Sequence, residues 1–241
     1  MTLQTDSNNT VGFYIPSYKR SENLHDKKLL SEGCTYVVRK SEEQLYRAEG
    51  VEVIAVEDEK INSLGKVRQW IIDNTKEDVV VQIDDDVEQL GYVLKPNPVI
   101  LEKNQVIDEI MRIAQILLDL DLGFASLSMN PNLTFHNSEF LWKAITGGVC
   151  WFNKKAIKGK YEPDLMKVDT DFMLQELLYN RICIVPNYLG LYAKHDTNKG
   201  GNNTNKSYAR LVNANNYMKT KWGKHYDFDY KSNKTKINVK R

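Results

Sequence analysis

Three adjacent carboxylates stand directly after an apolar stretch, and they carry the strongest chemical signal in this sequence. Residues 78–83 (DVVVQI) are almost all apolar and lead straight into Asp84, Asp85 and Asp86. Adjacent carboxylates raise each other's pKa unless a cation neutralises them. Oxygen ligands of this kind suit Mg²⁺ or Mn²⁺, which in proteins also bind the phosphate oxygens of a substrate. The cluster therefore predicts a divalent-metal site, with a capped and solvated turn as the alternative.

Two further groups could complete such a site. His195 follows a strand-like segment at 188–193 and offers an imidazole ligand, although a lone histidine is more often structural. Asp169 and Asp171 precede a helical pattern and are the catalytic candidates. Asp169 could take the proton of an acceptor hydroxyl as a general base. The alternative role for Asp169 is to cap the amino end of that helix.

Cations and polar groups follow the first strands, where a phosphate-containing donor would need them. The predicted donor-binding residues are Pro16, Ser17, Tyr18, Arg20, Arg39, Lys66, Arg68, Asp84 and Asp85. On the acceptor side, the pair Gly147 and Gly148 lets backbone approach a ligand closely. Trp151 is expected to stack on a sugar or base ring, with core packing as the alternative.

Strands and helices alternate through the first half of the chain. Strands are predicted at 11–16, 35–39, 51–56 and 78–83, and helices at 22–31, 42–49 and 63–74. This order predicts an α/β fold with an open, mostly parallel twisted sheet and helices on both faces. Ligands bind at the carboxyl ends of strands in such sheets, so residues 17–20 and 84–86 should meet at one site.

The second half of the chain is less regular. It predicts helices at 105–120, 171–180 and 208–222, and strands at 123–129, 146–152 and 181–185.

Bulk properties favour one globular domain. The chain has 241 residues, of which 41% are hydrophobic and 27% charged. No apolar run approaches the ~18 residues that a membrane span needs, and the polar N-terminus is unlike a signal peptide, so a cytoplasmic location is expected. We expect a disordered N-terminus at 1–10, a catalytic domain at 11–226 and a basic polar tail at 227–241. The three separated cysteines are expected to be reduced and buried.

Positive charge is concentrated at the end of the chain. Residues 194–241 contain 12 basic and 3 acidic residues and so have a net charge of +9, whereas the whole chain has +1. Such a segment suggests a polyanionic partner such as DNA, with a solvated end as the alternative.

Several of these segments, in this order, resemble GT-A glycosyltransferases. Ile15–Arg20 (IPSYKR) is similar to the family's opening motif, and Leu64–Arg68 followed by Asp84–Asp86 is similar to its glycine–arginine and D-x-D segments. Residues 146–148 resemble its acceptor-side glycine turn, and residues 168–172 its acidic helix start. The family often has Glu where this chain has Val168. The match covers about residues 11–201, most of the chain.

The resemblance implies a role for each matching residue. Asp86 and His195 would bind Mn²⁺ or Mg²⁺, Asp84 would contact the metal shell or the ribose, and Asp169 would be the base. The donor would be a nucleotide sugar, most commonly a UDP-sugar. The compact length and the YIPSYKR opening resemble phage and bacterial glycosyltransferases associated with DNA base hydroxylases of the TET/JBP type, which implies a hydroxymethylated DNA base as acceptor.

Two other functions fit the same residues. A nucleotidyltransferase on a similar sheet also uses metal and carboxylates, but it usually has a glycine-rich loop after the first strand, and residues 17–20 lack glycine. A non-catalytic polyanion-binding module on the same fold would use the basic end of the chain.

Overall fold

A computed structural model describes residues 1–22, 24, 29–30, 33–93, 97–128, 138–193 and 207–240. The strands are β1 (Thr2–Gln4), β2 (Thr10–Pro16), β3 (Thr35–Arg39), β4 (Glu52–Val56), β5 (Val79–Ile83), β6 (Val87–Tyr92), β7 (Val99–Ile100), β8 (Phe124–Ser128), β9 (Phe140–Leu141), β10 (Thr146–Asn153), β11 (Val185–Pro186), β12 (Leu189–Ala193), β13 (Tyr226–Asp229) and β14 (Lys234–Ile237). The α-helices are α1 (Glu43–Ala48), α2 (Leu64–Asn74), α3 (Lys103–Asp119), α4 (Val168–Tyr179) and α5 (Tyr208–Trp222).

The central sheet has the strand order β4-β3-β2-β5-β10-β8, and β1 pairs with β2. Strands β4, β3, β2 and β5 run parallel, whereas β10 is antiparallel to both β5 and β8. All five residues of β5 are buried, as expected for a central strand covered on both faces. The predicted α/β fold with a mostly parallel sheet is confirmed.

Helices cover both faces of this sheet, so there are two hydrophobic cores. Helices α1 and α3 pack on one face, where Ile110 and Trp151 are buried. Helices α2, α4 and α5 pack on the other, where Ile71, Phe172 and Met218 are buried. Alternate residues of each strand point to opposite faces, which is why the same strands supply both cores.

After the acidic cluster, the chain continues into a smaller antiparallel sheet. Strand β6 begins at Val87, immediately after Asp86, and lies between β12 and β7. The sequence indicated the strand-like segment at 188–193 but not its partner β6. The second sheet therefore starts directly after the acidic cluster that follows β5.

Several boundaries differ from the predictions. The first ten residues were expected to be disordered, but β1 pairs with β2 and the Met1 amino group donates to Thr35 Oγ1 over 3.2 Å. The tail expected after residue 226 forms the β13–β14 hairpin and buries Phe228 and Val239. The helix predicted at 22–31 lies mostly outside the described residues. Within the described part of the chain, no helix has the length and apolar character required for a membrane span.

Candidate active site

The acidic cluster forms a tight turn at the end of β5. The Val87 backbone N–H donates to the Asp84 carbonyl over 3.1 Å. The two Asp84 carboxylate oxygens accept from Arg68 Nη2 at 2.7 Å and from the Gly148 N–H at 3.2 Å. Asp84 is thus held by helix α2 on one side and by strand β10 on the other.

Asp85 points into the first loop. Its carboxylate accepts from Ser17 Oγ at 2.6 Å and forms an ion pair with Arg20. The predicted meeting of the loop after β2 with the acidic cluster is therefore confirmed. Burial raises the pKa of Asp85 to about 6, although Arg20 and Ser17 lower it.

Tyr46 organises this first loop and was not identified from the sequence. Its hydroxyl lies 2.7 Å from Ser17 Oγ and accepts from the Arg20 N–H over 3.1 Å. The ring is fully buried beneath the loop. Lys19 has a left-handed backbone (φ 56°), and its N–H donates to Glu42. An aromatic residue on the short predicted helix at 42–49 was the only available signal.

Arg68 connects the acidic cluster to Asp169. Its side chain is 1% exposed, and its Nε lies 3.3 Å from Asp169 Oδ1. Burial lowers the Arg68 pKa, but the carboxylates of Asp169 and Asp84 outweigh that effect and raise it. Burial raises the pKa of Asp169, with Arg68 acting in the opposite direction. A carboxylate with a raised pKa is a better proton acceptor near neutral pH, as a general base requires.

Asp86 is the last residue of the acidic cluster and is partly exposed. Its side chain is 17% exposed, and its carboxylate lies 3.8 Å from Arg20 Nη1. The described residues contain no group of three or more His, Cys, Asp or Glu side chains that could hold a metal. Mg²⁺ commonly uses one or two carboxylates together with substrate phosphates, and Asp86 fits that arrangement. The predicted ligand His195 lies outside the described residues.

Arginines neutralise part of the acidic cluster. The sequence indicated that the three carboxylates need a neutralising cation, with a divalent ion as the best candidate, and Arg20 and Arg68 compensate two of them directly. Arg20 and Arg68, predicted to bind the donor phosphates, are buried partners of Asp85 and Asp84 instead. Their direct contact with phosphate is therefore not favoured by this geometry.

The other predicted donor residues lie around the ends of β2 and β3. Pro16 ends β2 in a buried position. The Arg39 guanidinium lies 3.8 Å from the centre of the Tyr18 ring, and Arg39 Nη2 donates to the Asn62 carbonyl over 3.0 Å. Lys66 is on the first turn of α2 and is half-buried. These side chains line the same edge of the sheet as the acidic cluster.

The two predicted acceptor-side glycines adjoin the cluster. Gly148 has φ +72°, and its N–H and carbonyl both bond to Asp84. The Gly147 N–H donates to Ser126 Oγ over 3.1 Å. The left-handed backbone at residue 148 favours glycine, and a Cβ there would also press on the end of the Leu191 side chain.

Two predicted site residues have other roles in the structure. Trp151, expected to stack on the acceptor, is fully buried and donates from Nε1 to the Ile110 carbonyl of α3. Asp171, expected to be catalytic, is also fully buried, and its carboxylate accepts from Lys221 and Trp222. Residues of a strand alternate between faces and residues of a helix rotate by about 100° each, so sequence neighbours of a site residue need not face the site.

No protein-family model matches this chain, and no curated protein matches it either. Solved structures do match. The chain is similar to mannosyl-3-phosphoglycerate synthase from Rubrobacter xylanophilus, with a TM-score of 0.54 and 12% identity. This match covers 98% of the present chain and 88% of the synthase chain. It is similar to S. aureus TarS in complex with UDP-GlcNAc over 87% and 64% of the two chains, with a TM-score of 0.54 and 12% identity.

A third match is the mannosyltransferase PcManGT from Pyrobaculum calidifontis in complex with GDP-Man and Mn²⁺. Here the TM-score is 0.52 and the identity 16%, and the match covers 73% of this chain but only 54% of that one. At identities this low the likeness concerns the fold. The chain shares its α/β fold with these three solved structures.

Proposed function

We propose that this chain is a metal-dependent glycosyltransferase that transfers a sugar from a nucleoside-diphosphate sugar to an acceptor hydroxyl. The observation that carries the proposal is the continuous chain Asp84–Arg68–Asp169 at the carboxyl end of the central strand β5. This chain of contacts supports the proposal because it joins a fixed acidic turn to the carboxylate that we propose as the base. The fold similarity to enzymes with GDP-Man and Mn²⁺ or with UDP-GlcNAc supports the same reaction class.

Each residue has a distinct part in this proposal. Asp86 would hold Mn²⁺ or Mg²⁺ together with His195, and the ion would supply Lewis-acid stabilisation of the leaving diphosphate. Asp84 and Asp85 are fixed by arginines and so position the turn that carries Asp86. Asp169 accepts the proton of the acceptor hydroxyl as that oxygen attacks the anomeric carbon and the bond to the diphosphate breaks.

The Tyr18–Arg39 pair is proposed to bind the nucleotide. Arg39 is charged and half-buried at the end of β3, and Tyr18 presents an aromatic ring beside it. A planar cation and a ring suit a nucleobase or ribose–phosphate group. A UDP-sugar is the first donor to test.

For the acceptor, we propose a hydroxymethylated base in DNA as the first class to test. The support is the basic end of the chain, where Lys231 and Lys234 are exposed on the β13–β14 hairpin. Part of that charge is compensated internally, since Lys219 pairs with Asp227 and Lys236 with Asp229. If DNA binds here, K231E/K234E should weaken binding and flatten its salt dependence, because fewer phosphates are neutralised. A salt-independent acceptor KM would point to an uncharged acceptor.

Donor binding is tested with a panel of nucleotide sugars, with and without Mn²⁺, read as the change in melting temperature. A ligand that binds only the folded state raises that temperature. We expect one donor to stabilise the wild type with Mn²⁺, and Asp86→Asn to lose that stabilisation. Asp108→Asn on the exposed side of α3 is the matched control. A panel without any metal-dependent shift would contradict the proposal.

The products separate this function from a nucleotidyltransferase. Glycosyl transfer releases a nucleoside diphosphate from the donor, whereas nucleotidyl transfer releases pyrophosphate from a nucleoside triphosphate. The first product is expected here, and the second would favour the alternative. Donor binding without either product would favour a non-catalytic binding module.

A further inference from the structure

The helix that carries Asp169 begins without a local cap. At the start of α4 the N-cap position is Lys167, and no side chain there accepts a bond from the first turn. The first backbone bond runs from the Asp171 N–H to the Lys167 carbonyl. The early N–H groups of a helix need partners, and a side-chain cap usually fixes the direction in which a helix begins. Contacts from elsewhere in the fold must therefore fix the position of Asp169.

Residues at the end of α5 bond to α4 at Asp171, two residues after Asp169. The fully buried Asp171 carboxylate accepts from Trp222 Nε1 at 2.7 Å and from Lys221 Nζ at 2.9 Å. Its third donor, Gln175 Nε2 at 2.8 Å, belongs to α4 itself. A buried carboxylate needs such hydrogen-bond partners, and because the donors come from both helices, these bonds constrain both.

The C-terminal hairpin contacts the chain two residues before Asp169. Lys167 Nζ lies 4.6 Å from the centre of the Phe228 ring of β13 and 3.4 Å from Thr235 Oγ1 of β14. Residues on both sides of Asp169 are therefore tied to residues 208–240, which we call the C-terminal unit. Asp169 itself contacts Arg68 on the opposite side.

We propose that the C-terminal unit is a positioning element of the active site: Lys221 and Trp222, acting through Asp171, hold the first turn of α4 so that Asp169 faces the acceptor. The basic end of the chain then has a function inside the protein besides any surface role. This inference rests on the proposed function, in which Asp169 is the base. A displacement of about 1 Å in a catalytic group can cost about 100-fold in rate.

Lysines near the end of α5 offer a matched test. Lys221→Met removes one partner of Asp171, whereas Lys224→Met changes an exposed lysine of the following turn. We expect Lys221→Met to lower kcat at least tenfold with donor KM changed less than twofold, Lys221→Arg to restore most of the activity, and Lys224→Met to behave as wild type. Trp222→Phe, which retains a ring but loses the N–H donor, is the second variant should Lys221→Met fail to fold.

Amide hydrogen exchange of residues 171–175, whose N–H groups are bonded within α4, tests the positioning itself without activity. We expect faster exchange there in Lys221→Met and Trp222→Phe than in Lys224→Met. Unchanged exchange and unchanged kcat would overturn the proposal. If the wild type transfers no sugar but exchange at 171–175 still rises in the variants, the proposed function fails while the structural role of the C-terminal unit stands. If exchange rises and kcat is unaffected, the link to catalysis is overturned.

Discussion

Arg68 Nη2 donates to Asp84 Oδ1 over 2.7 Å, and this bond ties helix α2 to the end of strand β5. The same guanidinium reaches Asp169 at the start of α4. One fully buried cation therefore connects three elements and fixes the separation between the acidic turn and the candidate base. Four predictions follow from this arrangement and from the elements around it, in addition to the tests above.

Asp169→Asn should abolish most transfer while leaving the fold and the donor site intact. The amide occupies the same space but cannot accept a proton, and loss of a general base typically lowers kcat by about 100- to 10,000-fold. Donor-dependent thermal stabilisation should persist. Nucleoside diphosphate release gives the rate, and Asp164→Asn, an exposed aspartate in the preceding turn, is the control. Normal kcat in Asp169→Asn would place the base elsewhere.

Arg68→Met should destabilise the protein. Removing one partner of a buried ion pair costs roughly 3 kcal/mol, because the remaining carboxylates lose their counter-charge. Arg47→Met, which removes a surface pair with Glu43, should cost at most about 1 kcal/mol. Urea denaturation measures both changes. Adding Asp169→Asn to Arg68→Met should recover part of the loss, and an equal cost for the two single variants would contradict this account.

Gly148→Ala should be more harmful than Gly50→Ala. Both glycines have φ +72°, so alanine is strained at both, typically by about 1 kcal/mol or more. Only at Gly148 would the new Cβ meet another side chain, that of Leu191, whereas Gly50 has open space around it. Thermal melts should show a larger loss for Gly148→Ala, and its kcat should fall because a shift of the strained backbone would weaken the two bonds between residue 148 and Asp84. Equal losses would show that packing at Gly148 is unimportant.

Asp78 should make stability depend on pH in the acid range. Hydrogen bonds from the Thr10 N–H and hydroxyl and the nearby Lys155 lower the pKa of this carboxyl. A group with a lowered folded-state pKa stabilises the fold above its unfolded pKa of about 3.9, and that contribution disappears as pH falls through the folded value.

Urea midpoints for the wild type and Asp78→Asn should accordingly differ at pH 7 and approach each other near pH 3. Asp73→Asn, at an exposed position of α2, is the control. A difference that stays constant with pH would exclude the carboxylate charge as its cause.

Local pattern determined much of this fold. The apolar run of β5, its position before three aspartates and the helical spacing of α2 and α3 all follow from periodicity, so the parallel sheet and the acidic cluster at its edge were predictable. The strand boundaries at Thr35–Arg39 and the helix at Tyr208–Trp222 agree with prediction for the same reason.

Tertiary structure decided which side chains serve the site. The sequence placed Arg68 among the phosphate ligands, but packing buries it between Asp84 and Asp169. It also placed Asp171 and Trp151 in the site, and the rotation of a helix and the alternation of a strand turned both into the interior. The spacing of apolar and polar residues along the chain specifies which helices and strands form. Which carboxylates meet a cation from a distant element is specified only by the packing of these elements, because that contact depends on several helices and strands at once.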